Sequence, residues 1–380
     1  MKVMSVFGTR PEAIKMSPIL LELERAPGIE SVVCVSAQHR EMLDQVLDIF
    51  DIKPDYDLEL MKPGQDLYDI TTRVLTGMRD VLREAKPDVV LVHGDTTTCF
   101  AAGLAAFYEG IKVGHIEAGL RTGDMSSPFP EEANRSLVGK LANYHFAPTE
   151  TARNNLLIEN IDPTTIYVTG NTVIDALLMV RDKTEILPEN HWRSVFGNEL
   201  FREITDKNRK LILITGHRRE NFGQGFIDLC TAIKKLAQKH PDWLLIYPVH
   251  LNPSVQQPVK EMLSGLSNVE LMGPQQYLPF VWLMNQCDLI LTDSGGIQEE
   301  GPSLGKPVLV MRNVTERPEA VDAGTVRLVG TNVEKIIEGV EEVLLNESVF
   351  KKMSTATNPY GDGQSSRRII DVLEDVLTRV

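Results

Sequence analysis

Two short segments place a histidine and a carboxylate two residues apart at the end of an apolar run: His93 with Asp95, and His115 with Glu117. Residues two apart share a face in an extended chain, and catalytic groups of α/β enzymes gather just past strand ends. The acids are therefore candidate catalytic groups. A metal site is the alternative, but no third ligand has suitable spacing. We therefore interpret both histidines as groups that orient backbone or acid.

The segment 288–319 has the residue types of an anion-binding site. An apolar run at 289–291 has the length of a buried strand, and the small residues 294–296 follow it before a helix. Small residues let the backbone approach a ligand, and the free amides of a helix's first turn suit a phosphate. Arg312 and Arg317 follow the next strand and add positive charge. We interpret the segment as the site of a phosphorylated ligand; an ordinary helix cap is the alternative.

The first predicted strand spans residues 3–7, and a basic turn follows it. Pro11 suits the first position of a helix, where its missing amide is not needed. Arg10 and Lys15 then lie at the end of the strand where an open parallel sheet binds ligands. A solvated charge is the alternative for either residue. The pattern returns at 210–219, where an apolar strand, a glycine and a basic turn again follow one another.

Strands alternating with helices predict an α/β fold with doubly wound parallel sheets. At 380 residues the chain is too long for one typical core. The sequence therefore predicts two Rossmann-like domains facing a cleft. We expect an N-terminal domain at 1–175, a second domain at 176–362 and a C-terminal helix at 363–380 that packs on the first domain.

Composition limits the class of partner. Hydrophobic residues make up 42% and charged residues 24%, as in globular proteins. The formal net charge of -14 argues against nucleic acid or an anionic membrane as the main partner. The start resembles no signal peptide, and no stretch is apolar enough to span a membrane, so we expect a cytoplasmic protein. The four cysteines lie far apart and are interpreted as buried free thiols.

Several long motifs occur in a fixed order along nearly the whole chain. They are FGTRPEAIK, VHGDTTT, GHIEAGLRTGD, PEEANR, TGNTVID, TGHRREN, YPVH, LTDSGGIQEE, SLGKPVLVMR, TERPEA and NPYGDG. In these motifs the chain resembles the bacterial non-hydrolysing UDP-N-acetylglucosamine 2-epimerases. The resemblance implies the two-domain fold called GT-B, with the C-terminal helix crossing to the first domain. It also implies a homodimer. We expect no cofactor and, from the ligand spacing, no metal.

The resemblance implies reversible interconversion of UDP-N-acetylglucosamine and UDP-N-acetylmannosamine, a precursor for bacterial surface polysaccharide. The hydrogen on sugar carbon-2 is not next to a carbonyl, so direct deprotonation would leave an unstabilised carbanion. The family instead eliminates UDP to give 2-acetamidoglucal and then re-adds it. This reaction needs a base, an acid and groups that bind the diphosphate while it is detached from the sugar.

Matching motifs assign site residues to this sequence. The catalytic candidates are Asp95, Glu117, Glu131 and His217; for Glu131, helix capping is the alternative. Gln275 and Phe280 match a uracil pocket, Glu300 a ribose contact and Arg317 a further nucleotide contact. The remaining substrate-binding candidates are Arg10, Lys15, Ser294, Gly295 and Gly296.

Some family members bind UDP-N-acetylglucosamine at a second, allosteric site, and Gln38 and His39 match part of it. Glu41 and Gly64 stand where the best-described versions of that site carry Gln and Arg.

Three other functions are compatible with parts of the sequence. A hydrolysing epimerase would release the free sugar, and a GT-B glycosyltransferase would pass the sugar of a UDP-sugar to an acceptor. A non-catalytic nucleotide-sugar sensor would keep the anion site but would have no use for the four catalytic candidates. The acids in the first-domain loops favour proton transfer.

Overall fold

A computed structural model of the protein describes residues 1–36, 40–60, 62 and 64–378. Its internal contacts divide the chain into two units. Unit 1 comprises residues 1–176 and 360–380, and unit 2 comprises residues 177–359. Each unit is built on a parallel sheet covered by helices, so the predicted α/β class with doubly wound parallel sheets is confirmed.

Unit 1 contains, within the described residues, a seven-stranded sheet of order β3-β2-β1-β4-β5-β6-β7, and neighbouring strands are parallel throughout. Apolar side chains on both faces of its central strands are buried, as expected for a parallel sheet between helices. The strands are β1 (Lys2–Phe7), β2 (Glu30–Val35), β3 (Tyr56–Asp57), β4 (Val89–His93), β5 (Lys112–Ile116), β6 (Tyr144–Ala147) and β7 (Ile166–Val168).

The helices of unit 1 follow its strands in the order expected of a doubly wound sheet. Helix α4 is rich in alanine and packs closely, and a Cβ on its Gly103 would lie 3.0 Å from Val138. Helix α17, at the end of the chain, contacts α1. The helices are α1 (Arg10–Arg25), α2 (Arg40–Phe50), α3 (Leu67–Ala85), α4 (Thr97–Tyr108), α5 (Glu131–Leu141), α6 (Glu150–Ile158), α7 (Thr172–Ile186, which continues into unit 2) and α17 (Ser365–Thr378).

Unit 2 contains, counting only described residues, a six-stranded sheet of order β10-β9-β8-β11-β12-β13, again with parallel neighbours. Its largest buried cluster packs helices against one face. The strands are β8 (Leu211–Thr215), β9 (Leu244–Pro248), β10 (Val269–Met272), β11 (Leu289–Thr292), β12 (Val308–Val310) and β13 (Val326–Leu328).

Helices also separate the strands of unit 2. They are α8 (Glu189–Phe196), α9 (Asn198–Thr205), α10 (Gln224–Lys239), α11 (Pro253–Leu263), α12 (Tyr277–Gln286), α13 (Gly295–Ser303), α14 (Pro318–Asp322), α15 (Val333–Leu345) and α16 (Glu347–Ser354).

The structure differs from the sequence reading in two places. The polar composition of the segment 181–208 predicts a crossing between domains with one helix, but the segment holds the end of α7 and all of α8 and α9. The polar, proline-containing segment 56–65 predicts a loop, but it contains strand β3, which pairs over two residues only and is too short for a periodic pattern to reveal.

Each sheet reverses its strand order once beside its first strand. In unit 1 the strand β1 lies between β2 and β4, and in unit 2 the strand β8 lies between β9 and β11. The loops after β1 and β4, and those after β8 and β11, therefore diverge and leave a crevice, which is the usual ligand site of such sheets. Arg10 and Asp95 are in or next to these loops in unit 1, and His217, Ser294, Gly295 and Gly296 are in or next to them in unit 2.

Among the described residues, no helix combines the length and the apolar character needed to cross a bilayer. The four cysteines are free and buried. Burial raises the pKa of Cys34, Cys230 and Cys287 to about 12, so these thiols stay protonated.

Candidate active site

The turn after β1 is organised by Glu12, a carboxylate with 2% of its surface exposed. Its Oε2 accepts the amides of Gly8 at 3.0 Å and Thr9 at 2.7 Å. Its Oε1 accepts the hydroxyl of Thr96, at 2.5 Å, from the turn after β4. Burial raises the pKa of Glu12, and these hydrogen bonds counteract part of that rise. Glu12 thus fastens together two neighbouring loops, the first of which ends at Arg10, where α1 begins.

Glu117 is the best-anchored of the catalytic candidates. Its Oε2 accepts from the ammonium of Lys15 and from the amide of Asn171 at 2.8 Å. Its backbone is left-handed, with φ of 61°. This conformation is uncommon for a residue other than glycine and costs about 1–3 kcal/mol, and such strain clusters at functional sites. The arrangement brings together Lys15 and Glu117, which the sequence reading had assigned to binding and catalysis separately.

Asp95 lies in the turn after β4 and is paired with a different cation. Its carboxylate contacts the guanidinium of Arg135, which also contacts Glu132 at 3.2 Å. The side-chain amide of Asn134 donates to the Asp95 carbonyl at 2.9 Å. Both contacts come from α5, so the PEEANR motif positions Asp95.

Glu131 and Glu132 open α5, but they have different environments. Glu132 is buried and accepts the amides of Thr122 at 3.0 Å and Gly123 at 3.1 Å. Glu131 is the first residue of the helix and is partly exposed. A carboxylate there interacts favourably with the helix dipole and is also accessible to a ligand. The capping and catalytic interpretations of Glu131 both remain predictions.

The two histidines of the His-x-acid pairs are buried side chains. Burial lowers the pKa of His93 to about 4 and that of His115 to about 3, so both are neutral near pH 7. The His115 Nε2 lies 2.7 Å from the carbonyl of Gly94 and donates to it. This hydrogen bond from His115 fixes the turn that carries Asp95. Among the described residues, no group of three or more His, Cys, Asp or Glu side chains could hold a metal ion.

In unit 2, the helix α13 begins at the glycine turn after β11. Ser294 is the N-cap, but its side chain makes no capping hydrogen bond. Neither Gly295 nor Gly296 has the left-handed backbone that glycine alone adopts easily. A Cβ on Gly296 would have Glu300 as its nearest neighbour, at 3.9 Å. Neither backbone strain nor packing requires glycine at 296, and the missing side chain leaves space for a ligand to approach the first turn of α13.

His217 lies in the turn after β8, and its ring stacks on His250 with centroids 5.3 Å apart. Its Nδ1 is 3.6 Å from a carboxylate oxygen of Asp293, which is fully buried. Burial lowers the pKa of His217; Asp293 opposes this effect, while His250 and Arg218 add to it. The ring therefore favours the neutral form near pH 7, which can accept a proton.

The loops after β8 and β12 share a network of opposite charges. Arg312, buried, contacts Glu220 at 2.5 Å and Glu316 at 2.6 Å. Glu316 also contacts Arg218 at 3.2 Å, and it lies 3.2 Å from the position of a Cβ on Gly295. Acidic partners thus already compensate these arginines beside the glycine turn.

The other nucleotide-binding candidates lie on or next to α12, α13 and α14. Arg317 immediately precedes α14, without a side-chain capping hydrogen bond, and pairs with the buried Glu299. Glu300 accepts the hydroxyl of Tyr277 at 2.9 Å, which ties α13 to the start of α12. Gln275 and Phe280 stand before and within the first turns of α12, and Gln275 donates to the carbonyl of Gly273 at 2.8 Å.

A cavity of about 460 Å³ lies in unit 2, beside the loops after β8 and β9. Its volume is in the range of small-molecule sites. The cavity is lined by His217, Arg218, Arg219, Glu220, His250 and Asn252. The allosteric candidates Gln38 and His39 lie outside the described residues.

Four residues with clear positioning contacts had no role in the sequence reading: Glu12, Asn171, Arg135 and Asp293. Glu12 had a local signal, because Thr9 and Glu12 have the spacing of a capping box, which the structure contains. The other three contact residues that are far away in the sequence; Asp293 and His217, for example, are 76 positions apart. A pattern of neighbouring residues carries no information about such pairs.

Two parallel sheets, each with functional-type side chains in the loops where its strand order reverses, define a protein of the doubly wound, Rossmann-like α/β class. A family model described as UDP-N-acetylglucosamine 2-epimerase matches residues 21–374. The chain belongs to the UDP-N-acetylglucosamine 2-epimerase family, and the resemblance in its motifs is confirmed.

Individual relatives match along their full length. The chain is 60% identical over 375 residues to UDP-N-acetylglucosamine 2-epimerase of Escherichia coli strain K12, covering 99% of each chain. It is similar to the crystal structure of UDP-GlcNAc 2-epimerase from Neisseria meningitidis bound to UDP-GlcNAc, with 54% identity, a TM-score of 0.89 and coverage of 99% and 100%. The enzyme from Methanocaldococcus jannaschii in complex with UDP-GlcNAc and UDP gives 35% identity, a TM-score of 0.79 and coverage of 99% and 100%.

The glycine turn generates a prediction about ligand approach. We expect Gly296→Ala to fold normally, with an unfolding free energy within about 1 kcal/mol of the parent, because alanine is a better helix former than glycine. The added methyl group would keep a diphosphate from the first-turn amides. Losing one charge-assisted hydrogen bond weakens binding of UDP by about 10- to 100-fold, which isothermal titration calorimetry would measure.

The matched control is Gly225→Ala, at the corresponding second position of α10. A Cβ on Gly225 would make an ordinary contact with Thr331 at 3.7 Å, so UDP affinity should not change. Parent-like UDP binding by the Gly296 variant would contradict the assigned anion site.

Proposed function

We propose that the protein interconverts UDP-N-acetylglucosamine and UDP-N-acetylmannosamine, supplying a precursor for surface polysaccharide. The observation that carries the proposal is the pair of carboxylates in unit 1, Asp95 and Glu117, each held by its own cation at the carboxyl edge of the sheet. Two acids fixed in separate environments are suited to taking and returning a proton. Family membership and the ligands named for the related structures support the choice of substrate.

The proposed reaction runs through elimination and re-addition. A base takes the proton from sugar carbon-2, and the electrons of that carbon–hydrogen bond form the double bond to carbon-1. The carbon-1–oxygen bond breaks at the same time, and UDP leaves with the electron pair of the carbon–oxygen bond. UDP oxygen then attacks carbon-1 of 2-acetamidoglucal while an acid delivers a proton to the other face of carbon-2. Asp95, Glu117, Glu131 and His217 are the groups we assign to these transfers.

Binding of the nucleotide falls to unit 2 in this proposal. The first-turn amides of α13, at Ser294, Gly295 and Gly296, would hold the diphosphate, with Arg317 as a further contact. Glu300 would accept the ribose hydroxyls, and Gln275 with Phe280 would hold the uracil. Arg10 and Lys15, in unit 1, are the remaining substrate-binding residues of the proposal. A hydrolysing epimerase and a glycosyltransferase are the alternatives that the test below separates.

The isotope test follows from the exchange at carbon-2. In heavy water with UDP-N-acetylglucosamine, both epimers should acquire deuterium at carbon-2 and remain joined to UDP, as read by proton NMR. Free N-acetylmannosamine would indicate the hydrolysing reaction instead. Epimer product without deuterium at carbon-2 would rule out solvent proton exchange there.

Asp95 can be tested apart from nucleotide binding. We expect Asp95→Asn to bind UDP with parent affinity but to lose turnover by about 10²- to 10⁴-fold, the usual contribution of a general acid or base. Steady-state kinetics and calorimetry would measure the two effects. Asp80→Asn, at an exposed carboxylate of α3, is the control and should change neither. Full turnover by the Asp95 variant would remove this residue from the mechanism.

We further propose a homodimer, supported by exposed aromatic side chains on α3 and α4. Tyr68 is 84% exposed, Phe107 54% and Tyr108 67%. Such groups gain from leaving water at an interface. Sedimentation velocity should show a dimer at micromolar concentration, and Tyr108→Ser should shift the population toward monomer. A monomeric parent protein at those concentrations would overturn this assignment.

A further inference from the structure

Asp293 follows β11 and immediately precedes the glycine turn, and its side chain has no solvent exposure. Its carboxylate accepts the backbone amide of His217 at 3.0 and 3.1 Å and that of Arg218 at 2.9 Å. The side-chain amide of Asn221 adds a contact at 3.3 Å. One carboxylate on β11 therefore gathers the polar groups of the loop after β8.

The peptide group between Gly216 and His217 is fixed from both sides. Its N–H donates to Asp293, and its carbonyl accepts the hydroxyl of the buried Tyr247 at 3.0 Å. A Cβ on Gly216 would lie 2.9 Å from that hydroxyl oxygen, so the position has room only for glycine. Since this peptide sets the direction in which the His217 side chain leaves the backbone, its anchoring also orients the ring.

The ring itself faces the same carboxylate. The Nδ1 of His217 is 3.6 Å from Oδ1 of Asp293, longer than a hydrogen bond but within electrostatic reach. A carboxylate at that distance favours the tautomer with hydrogen on Nδ1, which leaves the Nε2 lone pair free. The ring of His250 stacks on that of His217.

We propose that Asp293 is the positioning residue for His217: it fixes the backbone of the turn, selects the Nδ1–H tautomer and thereby presents Nε2 for proton transfer. The inference rests on the proposed function for the role of His217. Asp293 touches no reacting atom in this assignment and acts through the histidine. The geometry is that of a carboxylate–histidine pair, in which the acid orients the ring and stabilises its charged form.

The charges around the ring predict the direction of a pH effect. Asp293, His250 and Arg218 act on His217, and Arg219 and Glu220 line the same cavity. Burial lowers the pKa of His217, and Asp293 is the group that raises it. Neutralising Asp293 removes the stabilisation of the imidazolium, so the pKa of His217 should fall further below its usual range.

A purely structural role for Asp293 is the competing explanation, and the chain contains a matched control for it. Asp288 precedes β11 at the opposite end of the same strand and accepts the amide of Leu211, the first residue of β8, at 2.8 Å. Asp288→Asn and Asp293→Asn thus each weaken a carboxylate–amide tie between β8 and β11. Asp288 is partly exposed and accepts the amide of Leu211, whereas Asp293 is buried and accepts the amides of His217 and Arg218. Loss of stability alone therefore does not separate the two explanations, and the titration of His217 does.

The experiment compares the two variants with the parent enzyme by NMR of ¹⁵N-labelled histidine and by steady-state kinetics. We expect Asp293→Asn to lower the pKa of His217, to move the corresponding limb of the kcat profile to lower pH, and to reduce kcat by about 10- to 100-fold, as for other residues that orient a functional histidine. Asp288→Asn should leave the titration and kcat at parent values.

The parent protein supplies a measurement that requires no variant. The ¹⁵N shifts of neutral His217 should show hydrogen on Nδ1, and hydrogen on Nε2 would overturn the proposal even if Asp293→Asn failed to fold. An unchanged His217 titration in a folded Asp293→Asn protein would overturn it as well. Full turnover by His217→Asn would instead contradict the proposed catalytic role of His217, while the tautomer and titration results would still report on the pairing.

Discussion

The fold depends on buried carboxylates that accept backbone amides where each sheet reverses its strand order. The loops that diverge there leave the ladder of the sheet, and their amides need another acceptor once they are buried. In unit 1 Glu12 accepts the amides of Gly8 and Thr9, and in unit 2 Asp293 accepts those of His217 and Arg218. Each acid also joins the two loops that border the crevice of its own sheet, so the same kind of contact occurs in both units.

The second theme is the pairing of charges in a protein with a formal net charge of -14. Among the described cations near the glycine turn, Arg218, Arg312 and Arg317 each contact a glutamate. Pairing holds the guanidinium groups in fixed orientations, which reduces the conformational entropy lost when an anion arrives. Pairing also weakens the attraction of these guanidinium groups for an anion. The backbone amides of Gly295 and Gly296 therefore become more important as hydrogen-bond donors.

The sequence predicted the parallel sheets and the residues near their ends because both follow from local patterns: apolar runs, glycines and helix-opening residues. It also predicted Asp95 and Glu117 just past the carboxyl ends of their strands, where they lie, and Lys15 contacts Glu117 there. It could not predict which cation pairs with which acid. Lys15 and Glu117 are 102 positions apart, and their contact depends on β1, β4 and β5 lying side by side. The role of Asp293 was missed for the same reason, since its partners lie on the loop of another strand.

The left-handed backbone at Glu117 affects how this chain can change over time. A glycine would adopt that φ of 61° without strain, and a substitution there would also remove the burial of a charged side chain. Glycine would also deprive the largely buried ammonium of Lys15 of the carboxylate that it contacts. Relief of backbone strain and loss of this ion pair therefore oppose each other, which reduces the stability that a glycine would otherwise gain at this position.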